Sequence, residues 1–250
     1  MRGPFQGVSN IVRFNWPFYM LSVSALITLS FVYFFSTGIL SMLAGIFLVM
    51  TAFATFSSLF VSWYIYDLSE LYSLNWLGDV GAGDIAIVNI NAGFDETSVL
   101  LSERYKGAEL IVYDFFDPLK HTEPSIRRAR RAYPPYPSTQ PVSINHIPLQ
   151  NDSVDSIFAI MSAHEIRDSK ERVEFFAQLE RILSPDGNLI VVEHLRDTAN
   201  LMAYNIGAFH FHSRATWKST FEAASLNIRK EVRITPFVTA FFLGKNGTTS

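Results

Sequence analysis

An unbroken tract without Asp, Glu, Lys or Arg runs from Phe14 to Tyr66. A bilayer core about 30 Å thick needs roughly 20 apolar residues per helical span, so the tract has room for two spans and a connection. Ser36-Thr37-Gly38 provides small and polar residues at which the chain can turn back. The sequence therefore predicts a transmembrane hairpin over residues 1–66, with spans at about 17–35 and 39–63.

The ends of the tract carry amphipathic aromatic rings, which favour the headgroup region of a bilayer. A secretory signal peptide is the alternative, but its single apolar region is much shorter and precedes a small-residue cleavage site. Both ends of a hairpin lie on one side of the membrane, and Arg2 and Arg13 favour the cytoplasm. We expect an integral membrane protein, in the inner membrane if it is bacterial, with a cytoplasmic domain. The rings are those of Trp16, Tyr19, Trp63, Tyr64 and Tyr66.

Composition limits the kind of domain that the rest of the chain can form. The chain has 250 residues, and the part after the hairpin is long enough for one domain with its own core. The absence of cysteine excludes disulfides, thiolate metal sites and cysteine nucleophiles. The net charge of −3 gives no sign of a nucleic-acid partner, for which a basic domain is expected. We divide the chain into the hairpin, a connector at 67–84 that is helical at first, a domain at 85–245 and a disordered tail at 246–250.

Within that domain, short β-branched runs alternate with segments of helical period, which indicates a parallel sheet covered on both faces. The last two strands are separated only by Thr235-Pro236, so they must pair antiparallel, because a parallel pair needs a long crossover. The predicted fold is α/β, a Rossmann-like doubly wound sheet with an antiparallel C-terminal strand. Strands are expected at 85–90, 110–113, 156–161, 188–193, 228–234 and 237–243, helices at 96–105, 124–132, 169–183 and 214–224, and a turn at 184–187.

Ligands bind at the carboxyl ends of the strands in such a sheet. The loop from Asn91 to Asp95 contains Gly93, where a backbone can approach a ligand closely, although an ordinary turn has the same composition. Asp114 ends the second strand, where a carboxylate can accept hydrogen bonds from ribose hydroxyls or simply face solvent. Phe115 is placed either to stack on a flat heterocycle or to fill the core.

Two later segments carry a resemblance to a known family. They are Ile147 to Asp155, IPLQNDSVD, and Arg181 to Glu193, RILSPDGNLIVVE. Their order and spacing resemble class I S-adenosylmethionine-dependent methyltransferases, most closely the type 11-like branch that includes the ubiquinone and menaquinone biosynthesis enzymes. The resemblance covers residues 85–245, leaves the hairpin outside, and implies S-adenosyl-L-methionine as the cofactor.

The resemblance also implies which residues contact the cofactor. Asn89 stands at the usual acidic position before the glycine loop, and only Gly93 remains of the three glycines that the family usually has. Asp114 matches the residue that holds the ribose, while Ser143 or Asn145 stands near the usual Asp beside the adenine. The full implied set is Asn89, Asn91, Gly93, Asp95, Asp114, Phe115, Ser143, Asn145 and Ser162.

Methyl transfer is an in-line displacement, so a general base is needed only if the acceptor must lose a proton. His164 and His194 follow the predicted fourth and fifth strands, and we predict one of them as the base or as an acceptor-orienting residue. A structural hydrogen bond is the alternative for each. His210 and His212 lie in a stretch that contributes to the acceptor side in the family, so we assign them to substrate. We predict no metal, because that pair leaves the remaining ligands unnamed.

Arg127, Arg128, Arg130 and Arg131 form a basic cluster, which is either a solvated helix face or a contact for anionic lipid. Together, these features predict a membrane-anchored methyltransferase that acts on a small, lipophilic or aromatic acceptor at the bilayer surface. Two alternatives stay open. One is a non-catalytic cofactor-binding or scaffold module, suggested by the altered glycine loop, and the other is a nicotinamide-dependent enzyme of similar fold.

Overall fold

The computed structural model describes residues 3–247. Residues 248–250 of the predicted disordered tail lie outside this described part. The helices are α1 (Gln6–Phe14), α2 (Trp16–Phe35), α3 (Gly38–Trp63), α4 (Ser98–Arg104), α5 (Pro124–Ala132), α6 (Ser169–Ile182), α7 (Thr198–Tyr204) and α8 (Arg214–Ala223). The strands are β1 (Ala86–Asn91), β2 (Glu109–Asp114), β3 (Gln140–Pro141), β4 (Val154–Ile160), β5 (Leu183–His194), β6 (Leu226–Thr235) and β7 (Val238–Lys245).

The strands form one seven-stranded sheet in the order β3-β2-β1-β4-β5-β7-β6. Every pair from β3 to β5 is parallel, whereas β7 runs antiparallel to both β5 and β6. The predicted doubly wound fold with its antiparallel finish is confirmed. The chain winds outward in both directions from the β1 and β4 pair, so the loops after these strands flank the crevice where such sheets bind ligands.

The predicted strands and helices of the domain are present, and most of their ends differ by about two residues or less. The strand β5 differs more, because the predicted turn at 184–187 is a bulge inside it. Leu183 pairs with Val154, but the next pair joins Asn188 to Ser156, so the residues between Leu183 and Asn188 are looped out of the ladder.

The helices α2 and α3, with a π-helical turn that extends α3 to Leu68, are long and apolar enough to cross a membrane by length and composition. They pack against each other, and α2 has no buried residue. At its C-terminal end α3 buries Val61 and Ser62, and Ile65 in the following turn is fully buried. The end of the apolar hairpin is therefore part of the packed domain.

The two faces of the sheet are covered in different ways. On one face α6 and α8 pack, with Phe176 and Trp217 fully buried. On the other face the connector contributes Leu71, Leu74 and Leu77. The connector is helical only as far as Leu68 and again over the short 3₁₀ turn Asn75–Leu77. These three leucines are at most 2% exposed, so the connector is a core element rather than a tether.

The helix α1, for which no prediction was made, joins the hairpin end to α5. The Asp67 carboxylate accepts from the backbone N–H groups of Gly7 at 2.6 Å and Val8 at 2.8 Å, where the positive end of the helix dipole favours it. The Tyr133 hydroxyl donates to Asn10 Oδ1 at 2.8 Å. The short helix α7, also unpredicted, packs against α3.

Candidate active site

The loop after β1 is held in a conformation that only glycine adopts easily. Gly93 has φ +95°, and a Cβ built on it would lie 3.0 Å from the Phe116 Cβ and closer still to the Arg130 side chain. The Asn91 Oδ1 accepts from the Gly93 N–H at 2.9 Å, which fixes the turn. The one glycine that the sequence keeps is therefore the one that the backbone requires.

Asp95, at the last of the altered glycine positions, caps α4. Asp95 Oδ1 accepts from the backbone N–H groups of Thr97 and Ser98, each at 2.9 Å. Asn89 Nδ2 donates to the Ser98 hydroxyl at 2.8 Å. Asp95 thus has a structural role, because it satisfies the first backbone donors of the helix, whereas Asn89 holds the Ser98 side chain.

Two buried atoms in this loop have no hydrogen-bond partner among residues 3–247. They are Asn91 Nδ2, a donor, and Asp95 Oδ2, an acceptor. A buried polar atom without a partner costs free energy unless a ligand or water satisfies it. A donor and an anionic acceptor on one loop complement the carboxylate and the ammonium group of an amino acid, so the loop fits the amino-acid end of S-adenosylmethionine.

The carboxylate at the end of β2 is already engaged. Asp114 Oδ1 accepts from the Phe116 N–H at 2.9 Å, and Asp114 Oδ2 forms an ion pair with Arg130. The Arg130 guanidinium also lies 4.4 Å from the centre of the Phe116 ring. Arg130 is 38% exposed, so it has room to move aside and leave Asp114 Oδ2 open to a ribose hydroxyl.

A cavity of about 560 Å³ opens beside the segments that follow β2, β3 and β4, and no residue of the loop after β1 lines it. Its lining includes Phe115, Ser143 and Glu165, and the Phe115 ring packs 5.0 Å from that of Phe175. Phe115 thus borders the cavity and fills the core at once. Ser162, by contrast, is buried and donates its hydroxyl to the Ile90 carbonyl at 3.0 Å, so the structure places it in the seam between β1 and β4.

Ser143 and Asn145 lie close together, with the Ser143 hydroxyl donating to Asn145 Oδ1 at 2.7 Å. Ser143 lines the cavity, while Asn145 is exposed outside its lining. Of the two residues predicted near the adenine, Ser143 is the one that faces the cavity.

His164 follows β4 in a 3₁₀ turn, Ala163–Glu165, and forms a buried ion pair. Its Nδ1 lies 2.6 Å from Glu193 Oε2, and its backbone N–H donates to the other oxygen of Glu193 at 3.1 Å. Burial opposes the charge on His164, but the carboxylates of Glu193 and Glu165 overcome it and raise the pKa of His164 to about 9. A histidine that is protonated at neutral pH donates hydrogen bonds and does not act as a base.

His194, at the end of β5, has both ring nitrogens engaged. Nδ1 lies 2.9 Å from the Phe237 carbonyl, which requires a proton on Nδ1, so Nε2 accepts from the Tyr66 hydroxyl at 2.8 Å. Its ring stacks on Phe211 at 4.7 Å. Burial lowers the pKa of His194 to about 4, so the imidazole is neutral and ties the hairpin end to the sheet.

The other two candidate histidines point in different directions. His212 Nε2 lies 3.2 Å from the Arg172 guanidinium and its ring contacts Trp217 edge-on; burial and that positive charge lower its pKa to about 3. His210, which ends the 3₁₀ segment Asn205–His210, instead lies beside His164. The structure therefore places His210 at the cluster around His164, whereas His212, partly buried, lies against Arg172 and Trp217.

Three polar side chains at this candidate site were not identified from the sequence. Glu123 lies 2.7 Å from His210 Nδ1, Arg167 contacts the same ring, and His121 lines the cavity. Glu123 directly precedes the proline that starts α5, which is a signal for a helix start and not for a site. Long-range packing, which spacing along the chain does not show, brings these groups together.

The α5 arginines are largely used within the chain. Arg128 donates to the Phe14 carbonyl, Arg127 donates to the Thr122 carbonyl, and Arg130 pairs with Asp114. Fewer than four arginines are therefore left to form the basic face that the sequence suggested.

Residues 89–191 match a family model described as a methyltransferase domain. The matched segment runs from β1 through most of β5 and contains the loops that follow β1, β2 and β4. This part of the chain is similar to methyltransferase domains. No curated protein sequence matches the chain significantly.

Solved structures of similar fold extend beyond the matched segment. An S-adenosylmethionine-dependent methyltransferase from Aquifex aeolicus superposes with a TM-score of 0.52 at 14% identity, over 70% of this chain and 89% of that one. A protein assigned as a type 11 methyltransferase from Sulfolobus solfataricus superposes with a TM-score of 0.50 at 15% identity, over 71% of this chain and 94% of that one. At these identities the likeness concerns the fold alone.

Proposed function

We propose that this chain is a membrane-anchored S-adenosylmethionine-dependent methyltransferase whose acceptor is a small, lipophilic or aromatic molecule at the bilayer surface. The observation that carries the cofactor assignment is the pair of unbonded buried atoms, Asn91 Nδ2 and Asp95 Oδ2, on the loop after β1. In this proposal residues 1–66 form the anchor, 67–84 the connector and 85–245 the catalytic domain.

Each end of the cofactor has residues suited to it. Asn91 would donate to the carboxylate of the amino-acid end, and Asp95 would accept from its ammonium group. Asp114 would hold the ribose hydroxyls once Arg130 has moved, while Phe115 and Ser143 border the cavity where the adenine fits. When bound, S-adenosylmethionine supplies an electrophilic methyl group on its sulfonium sulfur.

The exposure of the hairpin supports membrane anchoring. The helix α2 has 20 residues, which rise about 30 Å, the thickness of a bilayer core. The helix α3 is longer, and its last turns pack on the domain instead. We propose that both ends of the hairpin lie in the cytoplasm. Large apolar side chains that face outward include Phe18, Leu21, Ile27, Phe31, Ile39, Val49, Phe53 and Phe56, each at least 60% exposed.

A second apolar surface supports access of the acceptor from the bilayer. The helix α7 lies beside α3, where the Ser57 hydroxyl donates to the Ala203 carbonyl at 3.4 Å. The next segment along the chain exposes Ile206 at 86% and Phe209 at 65%, and it ends at His210. An exposed apolar patch next to a membrane helix suits contact with lipid or with a lipophilic ligand. This surface leads from the hairpin to the histidine cluster.

Of the two predicted catalytic histidines, the geometry favours His164 as an acceptor-orienting residue. His164 is 13% exposed and lies beside Glu165, which lines the cavity, whereas His194 is enclosed by Tyr66, Phe211 and Phe237. A charged imidazole held rigidly by Glu193 is suited to donate to an acceptor oxygen and align it for attack. A quinone-like or other aromatic lipid, methylated on oxygen or carbon, fits this arrangement.

The cofactor assignment is tested by calorimetric titration of the detergent-solubilised full-length protein with S-adenosylmethionine and, separately, S-adenosylhomocysteine. We expect saturable binding that Asp114→Ala abolishes. The matched control is Asp186→Ala, an exposed carboxylate in the β5 bulge, far along the chain from these loops, which should bind like the wild type. Folded protein that binds neither compound contradicts the proposal.

One observation favours a second candidate, a non-catalytic scaffold module. Arg130 occupies the carboxylate that the ribose would need. If this ion pair is permanent, cofactor binding will be absent in the wild type and will appear in Arg130→Ala. That outcome would support the scaffold function over the enzyme.

A further inference from the structure

A side-chain cluster at the carboxyl ends of β4 and β5 has the composition of a metal site. His164, Glu165 and His210 each offer one ligand atom, and these atoms all lie within 4.8 Å of one another. Glu165 Oε1 lies 3.5 Å from His164 Nε2 and 4.0 Å from His210 Nε2. The two rings come from segments far apart in the sequence, so only the fold creates this triangle.

The two imidazole rings are oriented in the same way. The Nδ1 of His164 lies 2.6 Å from Glu193, and the Nδ1 of His210 lies 2.7 Å from Glu123. In each case a carboxylate engages Nδ1. The Nε2 of His164 then lies nearest Glu165, whereas the Nε2 of His210 is contacted by Arg167 at 2.5 Å, with Glu165 beyond it at 4.0 Å. Histidines that bind metals commonly donate their other ring N–H to a carboxylate, which fixes the ring and strengthens the ligand.

We propose that His164 Nε2, His210 Nε2 and the Glu165 carboxylate bind a divalent transition-metal ion of the zinc class. Two imidazoles and one carboxylate suit such an ion, and three protein ligands leave a position for water or for an acceptor oxygen. Ligand atoms about 2.1 Å from one tetrahedral ion are roughly 3.4 Å apart. The 3.5 Å between Glu165 Oε1 and His164 Nε2 already matches this spacing. The His210 side chain is 25% exposed and has room to shorten its 4.0 Å distance to Glu165.

The surrounding charge favours a cation. Glu123, Glu165 and Glu193 provide three carboxylates within one cluster. Arg167 is the basic side chain that meets it, contacting the His210 ring and carbonyl, with Glu123 at 3.4 Å. Its side chain is 42% exposed and can move outward. Arg167 therefore occupies the cluster as a competing cation, and an ion must displace it.

This inference goes beyond the proposed methyl transfer, which itself needs no metal. Ligation requires His164 Nε2 to release its proton, so metal binding and donation from a charged His164 to the acceptor are alternative states of this residue. It is tested on the full-length protein in detergent, purified without a polyhistidine tag and stripped with a chelator. Co²⁺ is added as the probe, because its visible absorption reports a protein site of nitrogen and oxygen ligands. Zn²⁺ is then added in competition, and circular dichroism monitors folding.

We expect Co²⁺ to bind with a saturable visible band that Zn²⁺ abolishes. His210→Ala and Glu165→Gln should each weaken Co²⁺ binding by a hundredfold or more, and Glu123→Gln by about tenfold. Arg167→Ala should bind Co²⁺ more tightly than the wild type, which a merely structural arginine would not produce. The control His146→Ala removes an exposed histidine outside the cluster and should change nothing.

Two results would overturn the proposal. One is the absence of a Co²⁺ band in folded wild-type protein. The other is a band that survives unchanged in both His210→Ala and Glu165→Gln, which would place the ion elsewhere. Neither result bears on cofactor binding, which the calorimetric titration measures separately.

Discussion

His164 and His194 follow neighbouring, hydrogen-bonded strands of the same sheet, yet their surroundings give them opposite charge states. His164 faces the buried Glu193 carboxylate and has a pKa of about 9, whereas His194 faces a carbonyl and a phenol and has a pKa of about 4. Burial disfavours the charge on both rings, so the partner decides the outcome. The surroundings of His164 stabilise a charged imidazole, whereas those of His194 keep its ring neutral and join the hairpin to the sheet.

Removal of the deciding carboxylate is expected to have the largest effect. Glu193→Ala leaves the His164 ring and its backbone N–H without their partner in a buried site, which should cost about 4 kcal/mol of unfolding free energy. Chemical unfolding of the detergent-solubilised protein measures this. The control Glu222→Ala breaks an exposed pair with Lys218 and should cost well below about 1 kcal/mol. Equal losses of unfolding free energy in Glu193→Ala and Glu222→Ala would show that the buried Glu193 carboxylate does not stabilise a charged His164.

The neutral state of His194 predicts a pH dependence of stability. Its pKa is lower in the folded state, about 4, than in the unfolded state, about 6.5, so the unfolded state binds the proton first as pH falls. Stability should therefore drop by about 3 kcal/mol between pH 6.5 and 4. The stability gap between the wild type and His194→Gln isolates this effect, because glutamine does not titrate. A gap that stays constant with pH would show that His194 is not held neutral.

A smaller effect is expected where the hairpin meets His194. Tyr66→Phe removes the hydroxyl that donates to Nε2 and leaves a buried acceptor unsatisfied, which should cost about 1 to 2 kcal/mol. Tyr64→Phe, in the same turn but without a hydrogen bond to His194, serves as the control. Thermal unfolding in the same detergent distinguishes them, and identical midpoints would mean that the hairpin end is not coupled to the sheet through this bond.

The smallest effect concerns the cofactor side. Arg130→Ala frees Asp114 from its ion pair, so the affinity for S-adenosylmethionine should rise by a few fold, as expected for loss of a part-exposed pair. Arg131→Ala, the next residue on the exposed side of α5, should leave the affinity unchanged. A weaker affinity in Arg130→Ala would instead mean that the arginine itself binds the cofactor.

The sequence predicted the sheet well because strand burial and turn chemistry are local signals. The β-branched run of β4 and the antiparallel return at Thr235-Pro236 needed no information from distant residues. The helix α1 escaped prediction because its polar stripe becomes meaningful only when Asp67 caps it and Tyr133 contacts it. Long-range contacts of this kind have no signature in the linear sequence.

The candidate site was predicted in part for the same reason. Asp114 ends β2 and Gly93 follows β1, so their place at the sheet edge could be inferred. The pairing of His210 with Glu123 and of Asp114 with Arg130 could not, because each joins separate elements. The separation of His210 from His212 was also hidden, since alternate residues in a 3₁₀ exit do not share a face.

The proposed methyl transfer at a membrane surface is measured directly as follows. The full-length protein in lipid vesicles is incubated with S-adenosylmethionine labelled in its methyl group and an organic extract of the native membrane. We predict that label enters the organic phase with the wild type and not with Asp114→Ala. Label that stays entirely in the aqueous phase, while the wild type binds the cofactor, would contradict the proposed function.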